Sequence, residues 1–547
     1  MKIALAQINC VIGDFEQNTS RIIDKIKKAE KEGADLVVFP ELSVTGYPAL
    51  DLLEYTDFVD KCYESIGKIA LSCKNIAAIV GSPAYNDKSK GKKLYNSAFF
   101  LAEGKIQQVF HKGLLPNYDV FDEYRYFEPS DSFDILKFKG KRIAVTVCED
   151  LWSLDDKTLY VKSPMEVLSE QQPEILINIA ASPFSYNQRN ERKSILAKNA
   201  LQYDLPVFYV NHTGANTDLI FDGGSMIIDS KGKIIHEMKY FKEDFYLFET
   251  DNLAKVAGKE IPKGIDENNK IEFIHDGLVY GLREYFRKTG FSKAVLGLSG
   301  GLDSAIVAVL AVKALGKENV HALLMPSQFS SSHSVKDAIE LALNLDITYD
   351  KINIKELYHT FDKTLKPFFK DYTFGPTEEN IQARTRALLL MAYSNKYNYV
   401  LLNTSNKSEA AVGYTTIYGD MCGGLSVLGD VYKSDIFKLA EYINSSGIVV
   451  PENTINKPPS AELRPGQKDT DTLPEYEVLD KIIYSYVELQ LSTDDIIKEG
   501  FDPETAKKVV TLINKSEHKR FQAPPILRIS PRAFGRGRRM PIVAKYW

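Results

Sequence analysis

The sequence contains little cysteine and no paired-cysteine motif. Its five cysteines are scattered along 547 residues, and no two of them stand in a CxxC spacing. Such an odd and sparse set argues against a disulfide framework and against a zinc site, and it fits a reducing compartment. The cysteines are Cys10, Cys62, Cys73, Cys148 and Cys422.

The sequence also lacks long apolar runs and an excess of positive charge. No stretch of about 18 apolar residues occurs, and Gln7 and Asn9 interrupt the apolar N-terminal stretch, so we predict neither a membrane span nor a signal peptide. The formal net charge is -5, which gives no electrostatic reason to expect nucleic acid binding. We therefore expect a cytoplasmic protein that binds neither membranes nor nucleic acid.

Two α/β patterns are present, separated by a polar stretch. In the first, short β-branched runs alternate with amphipathic helical patterns, which predicts stacked α/β layers. The stretch that follows is polar, carries glycine and proline, and has no clear period, as is typical of a linker. We predict a first domain at 1–250, a linker at 251–272 and a second domain at 273–547.

The predicted elements rest on apolar runs for the strands and on helical periodicity for the helices. Predicted strands of the first domain are Ile3–Ile8, Leu36–Phe39, Ala77–Val80, Ser97–Leu101, Arg142–Val147, Ile175–Ile179, Val207–Val210, Ser225–Ile228 and Tyr246–Glu249. Those of the second are Lys293–Leu298, Val320–Met325 and Tyr399–Leu402. The main predicted helices are Asn18–Glu32, Ser304–Leu315, Ser334–Asn344 and Asn380–Lys396.

Residues 299–304, with the sequence SGGLDS, lie between a predicted strand and a predicted helix. The two glycines let backbone N–H groups approach phosphate oxygens, and the helix N-terminus adds its dipole. Ser299 and Ser304 offer hydroxyl donors, whereas Asp303 suits a phosphate site only with Mg²⁺ between the two negative groups. A plain turn with a serine helix cap is the simpler explanation of a bare glycine pair. The GxxxxGK[ST] loop of Walker ATPases does not occur in the sequence.

The SGGxDS loop resembles the pyrophosphate-binding loop of the N-type ATP pyrophosphatases, which adenylate a carboxylate or a carbonyl. Three further stretches make the resemblance to NAD synthetases close: 379–384 (ENIQAR), 402–409 (LNTSNKSE) and 413–420 (GYTTIYGD). The resemblance implies a parallel-sheet α/β domain that uses ATP and Mg²⁺. Amidation of a carboxylate needs such activation because hydroxide is a poor leaving group, whereas ammonia can displace AMP from an acyl-adenylate.

This resemblance also implies site residues in the second domain. ATP contacts are implied for Gly297, Leu298, Ser299, Gly300, Gly301, Leu302, Asp303, Ser304 and Thr404. Contacts to deamido-NAD are implied for Asn380, Glu409, Asp420, Lys433 and Lys519. Asp303 and Glu409 are the implied Mg²⁺ ligands.

In the first domain, Glu41, Lys112 and Cys148 each stand where a strand-like run ends. A cysteine is a nucleophile only as the thiolate, a carboxylate can accept its proton, and a lysine can stabilise an oxyanion. The three together would suffice for amide hydrolysis through a thioester. Taken singly, each has a plainer explanation as a packing cysteine, a helix-start acid or a surface lysine.

The surrounding stretches 39–47 (FPELSVTGY), 111–116 (HKGLLP) and 147–152 (VCEDLW) resemble the nitrilase superfamily of carbon–nitrogen hydrolases. That resemblance implies an αββα sandwich and a second active-site glutamate at Glu123. Similarity to the glutaminase domains of NAD synthetases implies glutamine contacts from Tyr118 and Ser182. A third contact falls to Gln188 or Arg189, because relatives often carry a basic residue where Gln188 stands.

Both resemblances in this order are typical of glutamine-dependent NAD synthetases. The implied reaction converts deamido-NAD, ATP and glutamine into NAD, AMP, pyrophosphate and glutamate, the last step of NAD biosynthesis, and the family implies a homo-oligomer. Three alternatives remain: the same ligase with a weakened amidase, another amidotransferase such as a GMP or asparagine synthetase, and a nitrilase-like hydrolase whose second domain only senses nucleotides.

Overall fold

The chain is described by a computed structural model over residues 1–154, 159–253, 255–260, 267–369 and 372–546. It divides into two compact units, Met1–Ile265 and Asp266–Trp547. The predicted linker at 251–272 includes residues 254 and 261–266, which lie outside the described residues, whereas residues 267–272 begin a helix. Among the described helices, none combines the length and apolar character needed to cross a membrane.

The first unit is built from strands that alternate with helices and then run in succession. Its strands are β1 Lys2–Gln7, β2 Leu36–Val38, β3 Ala77–Tyr85, β4 Leu94–Ala102, β5 Lys105–His111, β6 Ile135–Phe138, β7 Lys141–Val147, β8 Ile175–Ala180, β9 Val207–Asn211, β10 Thr213–Asn216, β11 Leu219–Asp222, β12 Met226–Ile228, β13 Ile234–Glu237 and β14 Asp244–Glu249. Its helices are α1 Phe15–Lys31, α2 Thr56–Leu71, α3 Pro164–Glu170 and α4 Gln188–Tyr203.

Two six-stranded sheets form the centre of this unit, with strand orders β14-β1-β2-β3-β4-β5 and β13-β12-β9-β8-β7-β6. Successive residues of a strand point to opposite faces, and β1 shows the consequence. Ile3 and Leu5 belong to the apolar core shared with strands of the other sheet. Ala4 and Ala6 pack instead in the core that contains residues of α1 and α2. The first of these cores also includes successive residues of β7 and β8, hence both faces of the second sheet, and residues of α3 and α4. The layers are therefore helix, sheet, sheet, helix, as predicted.

The second unit is built around one parallel sheet. Its strands are β15 Ala294–Gly297, β16 Val320–Leu324, β17 Thr348–Lys351, β18 Val400–Asn403 and β19 Leu425–Ser426. Its helices are α5 Glu267–Thr289, α6 Leu302–Leu315, α7 Ser332–Asn344, α8 Lys355–Leu365, α9 Pro376–Tyr397, α10 Lys407–Val412, α11 Lys433–Asn444, α12 Glu452–Asn456, α13 Tyr476–Ile483, α14 Thr493–Lys498, α15 Pro503–Lys515 and α16 Glu517–Arg520.

The strand order β17-β16-β15-β18-β19 places β15 at the centre of this sheet. The chain moves from β15 to β16 on one side, and β18 lies on the other side. In open α/β sheets, such a reversal of strand order leaves a crevice at the carboxyl ends of the strands, where ligands bind. The SGGLDS loop begins directly after β15, so the fold positions it at this crevice.

Candidate active sites

Cys148 lies in a strained turn at the end of β7. It begins the short 3-10 helix Cys148–Leu151, and its φ of 43° falls in the left-handed region that side chains rarely adopt. Asp150 fixes this turn, because its Oδ2 accepts a hydrogen bond from Val147 N at 2.9 Å. Its Oδ1 accepts bonds from the backbone N–H groups of Gly113 and Leu114, both at 2.9 Å. One carboxylate therefore joins the cysteine turn to the segment that follows Lys112.

Glu41, Lys112 and Glu123 form a buried charge cluster. Lys112 is fully buried, and its Nζ donates to Glu41 Oε1 at 2.8 Å and to both carboxylate oxygens of Glu123 at 2.9 and 2.8 Å. Glu41 Oε2 accepts a bond from Ala181 N at 2.8 Å. The structure thus brings Lys112 together with Glu41, which lies 71 positions away in the sequence, and with Glu123, which lies 11 positions away.

Charge and burial shift the pKa values of Cys148, Lys112 and Glu123. Burial raises the pKa of the Cys148 thiol well above its usual value, Glu41 raises it further, and Lys112 opposes both effects. Burial alone would lower the pKa of Lys112, but Glu123 and Glu41 hold it well above its usual value. Burial raises the pKa of Glu123 to about 7, against the charge of Lys112. The resting thiol is therefore protonated and needs a nearby base.

Two side chains that the sequence did not single out complete the cluster. Asn96 Nδ2 donates to Glu41 Oε1 at 2.6 Å and to Glu123 Oε2 at 3.3 Å. Tyr47 OH donates to Glu123 Oε1 at 3.0 Å. Tyr47 stands in the stretch that resembles the nitrilases, whereas nothing in the sequence distinguishes Asn96 from other polar residues within a strand.

The residues predicted to contact glutamine lie in two groups. Tyr118 OH donates to Glu149 Oε1 at 2.8 Å, and Tyr160 OH donates to the same oxygen at 2.9 Å. Since Glu149 follows Cys148 directly, this first group lies beside the nucleophile. Ser182 is buried, and its N–H donates to Asn211 Oδ1 at 2.9 Å.

Gln188 and Arg189 open helix α4. Gln188 N donates to Ser185 Oγ at 3.2 Å. Arg189 pairs with Glu237 at 3.6 Å, and its guanidinium lies 3.7 Å from the ring centroid of Tyr240. Glu237 also pairs with Lys193 at 2.7 Å, so Arg189 shares this carboxylate with a closer cation. The choice between Gln188 and Arg189 as a glutamine contact stays a prediction.

A cavity of about 320 Å³ lies at the crevice of the second unit. Most of the residues predicted there line it. They are Gly297, Leu298, Ser299, Gly301, Leu302, Asp303, Ser304, Thr404, Glu409, Asp420 and Lys433. Gly300, Asn380 and Lys519 are not among the lining residues.

The SGGLDS loop has the conformation of an anion cradle. Gly301 precedes the first turn of α6 and has no side chain to cap it, which leaves the first helical N–H groups available to a ligand. Ser299 Oγ accepts a hydrogen bond from Gly301 N at 3.1 Å, and the Ser304 Oγ atom lies 3.1 Å from Ser299 Oγ. Gly300 has a φ of +83°, and a Cβ there would stand 2.1 Å from Ser334 O. A glycine is therefore required at that position.

Acidic side chains surround Lys433 beside this loop. Lys433 forms an ion pair with Asp303, and Asn406 Nδ2 donates to Asp303 Oδ1 at 3.4 Å. Burial raises the pKa of Glu409 well above its usual value, Asp303 raises it further, and Lys433 opposes both. In the part of the chain that the structure describes, no group of three or more acidic, histidine or cysteine side chains is placed to hold a metal. Two carboxylates suit Mg²⁺, which commonly takes its remaining ligands from phosphate and water.

Asn380 and Lys519 both bond to the loop at 413–420. Asn380 Oδ1 accepts a bond from Thr416 Oγ1 at 2.7 Å. Lys519 Nζ donates to the carbonyls of Gly413 and Thr415 at 2.7 and 2.8 Å. These two side chains therefore fix the loop that carries Asp420 into the cavity.

Arg386 is a cavity residue that the sequence did not single out. Its Nε donates to Met325 O at 3.1 Å, and burial lowers its pKa to about 10, against the charges of Glu462 and Asp420. It follows the ENIQAR stretch on the same helix, α9. Its place two residues after Arg384 gave no signal, because residues two apart on a helix point to different faces, and Arg384 Nε donates to Ile417 O at 3.2 Å instead of lining the cavity.

Comparison with known proteins identifies the family. The carbon-nitrogen hydrolase model matches residues 2–255, and the NAD synthase model matches residues 274–523. A glutamine-dependent NAD(+) synthetase of Synechocystis sp. is 44% identical over 554 residues, which cover 100% of this chain and 99% of that relative. This chain belongs to the glutamine-dependent NAD(+) synthetases.

Other glutamine-dependent NAD(+) synthetases agree over the full length. That of Thermotoga maritima is 39% identical over 100% of this chain and 99% of its own. A solved structure of the synthetase from Acinetobacter baumannii in complex with adenosine diphosphate covers 99% of this chain and 98% of its own, with 39% identity and a TM-score of 0.77.

Membership in this family makes the chain a ligase of NAD biosynthesis. It amidates deamido-NAD to NAD with glutamine as the nitrogen donor, and it uses ATP. The alternatives of a GMP or asparagine synthetase and of a nucleotide-sensing hydrolase are thereby wrong.

Proposed function

We propose that the two units divide this reaction between them. The first, with its predicted domain at 1–250, releases ammonia from glutamine at Cys148. The second, with its predicted domain at 273–547, adenylates deamido-NAD in the cavity at the SGGLDS loop. The observation that carries the proposal is the buried ammonium of Lys112 between Glu41 and Glu123, since that cluster can both accept a thiol proton and stabilise an oxyanion.

In the glutaminase half, Glu41 accepts the Cys148 proton as Sγ attacks the amide carbon of glutamine. Lys112 stabilises the oxyanion that forms. The C–N bond then breaks, the nitrogen takes the proton from Glu41, and ammonia leaves behind a thioester. Water attacks the thioester with a carboxylate of the Glu41–Glu123 pair as the base. The C–S bond breaks, the carboxylate returns the proton to the Cys148 sulfur, and glutamate is released.

Substrate binding follows from the chemistry of the groups beside Cys148. Glutamine carries an α-ammonium group, and Glu149 is a buried carboxylate held by Tyr118 and Tyr160. We assign Glu149 to the α-ammonium group, with Tyr118 beside it. Ser182 and either Gln188 or Arg189 then hold the α-carboxylate. Burial of Glu149 and Ser182 supports their assignments, and the position of Gln188 and Arg189 at the start of α4 supports theirs.

In the ligase half, a carboxylate oxygen of deamido-NAD attacks the α-phosphorus of ATP, and the bond to pyrophosphate breaks. The SGGLDS loop and Thr404 hold the departing pyrophosphate and the nucleotide, and Lys433 offsets the developing negative charge. Ammonia then attacks the acyl carbon, and AMP leaves with the carboxylate oxygen. Asn380, Glu409, Asp420, Lys433 and Lys519 are the proposed contacts of deamido-NAD.

The carboxylates of Asp303 and Glu409 are the proposed ligands of Mg²⁺. The repulsion between them raises the proton affinity of Glu409, and a bound cation relieves such repulsion. When bound, Mg²⁺ supplies charge neutralisation for the phosphates.

An isotope experiment tests the adenylation. Deamido-NAD with ¹⁸O in both oxygens of its nicotinate carboxylate should give AMP that contains one ¹⁸O and NAD that retains the other in its amide. The measurement is mass spectrometry of AMP, pyrophosphate and phosphate. The matched control is unlabelled deamido-NAD in ¹⁸O-water, which should leave AMP unlabelled. Label in free phosphate would contradict attack at the α-phosphorus.

Gly300→Ala tests the anion cradle. The new Cβ would displace the loop from Ser334, so we expect the KM for ATP to rise about tenfold to a hundredfold in the ammonium-driven reaction. Gly290→Ala is the matched control, since Gly290 has a φ of +80° with no atom within 4 Å of its Cβ position. It should lose about 1–2 kcal/mol of unfolding free energy from the same backbone strain, with an unchanged KM for ATP. Equal KM values in the two variants would count against the cradle.

We also propose a cytoplasmic homo-oligomer. Helix α9 supports an interface between subunits, because Leu388 and Met391 lie one turn apart on it with exposed fractions of 65% and 37%. Exposed apolar side chains on one helix face favour burial against a partner.

A further inference from the structure

Asn96 occupies the strand position directly opposite Lys112. Strands β4 and β5 are antiparallel and pair Ser97 with His111, and Lys112 N donates to Asn96 O at 2.8 Å. Asn96 is fully buried, so its amide group has no access to solvent. Its side chain therefore has only the neighbouring protein groups as partners.

The Asn96 amide joins the two carboxylates that flank Lys112. Its Nδ2 carries two hydrogens, and the contacts of 2.6 Å to Glu41 Oε1 and 3.3 Å to Glu123 Oε2 use one for each glutamate. Its Oδ1 is buried with no hydrogen-bond partner among the described residues. The side chain thus satisfies the carboxylates while its own acceptor stays unsatisfied, and this orientation keeps a donor on both glutamates.

The cluster needs such donors because its formal charges do not balance. Glu41 and Glu123 carry two negative charges when ionised, and Lys112 supplies one positive charge. A buried excess of negative charge favours protonation of one carboxylate unless hydrogen-bond donors stabilise the ionised form. The titratable groups around Glu41 include Lys112, Glu123, Cys148, Glu149 and Tyr47. His212 Nε2 also lies 2.5 Å from the Glu41 backbone oxygen.

We propose that Asn96 is a positioning residue, which orients Glu41 and Glu123 on either side of Lys112, favours their ionised forms and so sets the lower limit of pH for the glutaminase reaction. The inference rests on the proposed role of Glu41 as the base for Cys148. Because the amide donates to the ionised carboxylates, its removal takes away a contact that favours the ionised form of each. The acid limb of the pH profile then moves to higher pH, because a protonated Glu41 cannot accept the thiol proton.

The test is the pH profile of kcat/KM for glutamine hydrolysis in the full-length enzyme, for the wild type, Asn96→Ala and Asn96→Asp. Asn96→Ala removes one hydrogen bond from each carboxylate. Loss of the bond to Glu41, the proposed base, predicts a fall of about 10- to 100-fold at pH 7 and an acid limb about one pH unit higher. Asn96→Asp keeps the shape of the side chain and adds a third carboxylate, so its acid limb should lie higher still.

Ser97→Ala is the matched control. Ser97 is the next residue on the same strand and equally buried, but its hydroxyl lies 2.7 Å from His111 Nδ1 and does not contact the carboxylates. It should keep the wild-type acid limb.

The outcomes separate this inference from the proposed function. Variants at Asn96 that lose activity without any movement of the acid limb would overturn the positioning role, because packing defects alone do not shift it. A wild-type profile without an acid limb, or full glutamine hydrolysis by Glu41→Gln, would instead overturn the role of Glu41 as the base. An acid limb that lies at successively higher pH in the wild type, Asn96→Ala and Asn96→Asp supports the inference.

Discussion

Cys148→Ala should reduce glutamine-driven NAD formation by at least about 10⁴-fold, because the thioester cannot form without the sulfur nucleophile. Ammonium-driven NAD formation should stay close to the wild-type rate, since the adenylation cavity lies wholly within the second unit. The measurement is NAD formation from deamido-NAD and ATP, with glutamine or ammonium as the nitrogen source. The ratio of the glutamine-driven rate to the ammonium-driven rate within one variant does not depend on the enzyme concentration.

Cys62→Ala is the control for the loss of a buried thiol. Cys62 is fully buried in α2, its Sγ bonds to Phe58 O at 3.3 Å, and burial raises its pKa to about 12. It shares burial and a protonated thiol with Cys148 but has no lysine–glutamate cluster beside it. Glutamine use should survive in Cys62→Ala. Glutamine-driven synthesis that persists in Cys148→Ala would show that another group is the nucleophile. If ammonium-driven synthesis persisted in the wild type but glutamine gave no NAD, the weakened-amidase alternative would be correct.

Asp303→Asn should reduce NAD formation from both nitrogen sources by about 10²- to 10³-fold. The substitution keeps the shape of the side chain but removes the negative charge that pairs with Lys433 and that is proposed to bind Mg²⁺. Pyrophosphate release should fall in parallel, which places the defect at adenylation. Attack of Cys148 on glutamine should still occur, and a single-turnover burst of glutamate measures it.

Asp346→Asn is the control for loss of an aspartate charge. Asp346 pairs with Lys317 at 2.5 Å, both side chains are largely exposed, and neither residue lines the cavity. We expect it to keep both activities, since exposed ion pairs contribute little. NAD formation near the wild-type rate in Asp303→Asn would contradict the role of Asp303. An unchanged dependence on Mg²⁺ concentration in the residual activity would contradict its assignment as a metal ligand.

The fold was predictable where apolar runs were continuous. Buried strands such as Ile175–Ile179 and Arg142–Val147 were placed to within one residue of β8 and β7. The shorter strands β6, β10 and β11 were not predicted, because four residues with mixed polarity give no period to recognise. Strand β3 continues to Tyr85 through Gly81 and Pro83, which are weak strand formers on sequence grounds.

Site residues were predictable where a reactive side chain comes directly after a predicted strand. Glu41, Lys112 and Cys148 could be proposed because each follows a strand-like run and stands in a stretch that resembles the nitrilases. The strand before Cys148, β7, belongs to a different sheet from β2 and β5, so their closeness was not predictable from the sheet pattern. Asn96 could not be proposed, since its contact with Glu41 spans 55 positions and depends on which strands become neighbours. The contacts of Lys519 were not predictable either. Its ammonium donates to two backbone carbonyls of the 413–420 loop, which the sequence does not indicate.

The three hydrogen bonds of Asp150 have a consequence for protein engineering. They fasten the nucleophile turn to the backbone after Lys112 without using any residue assigned to glutamine. The bonds that fix the nucleophile turn are therefore different from the proposed contacts of Gln188 and Arg189 with glutamine. Substitutions at these two residues can be screened for new amide donors, whereas Tyr118 bonds to Glu149 inside the turn and Ser182 follows Ala181, which bonds to Glu41. Asp150 itself must stay fixed in every such library.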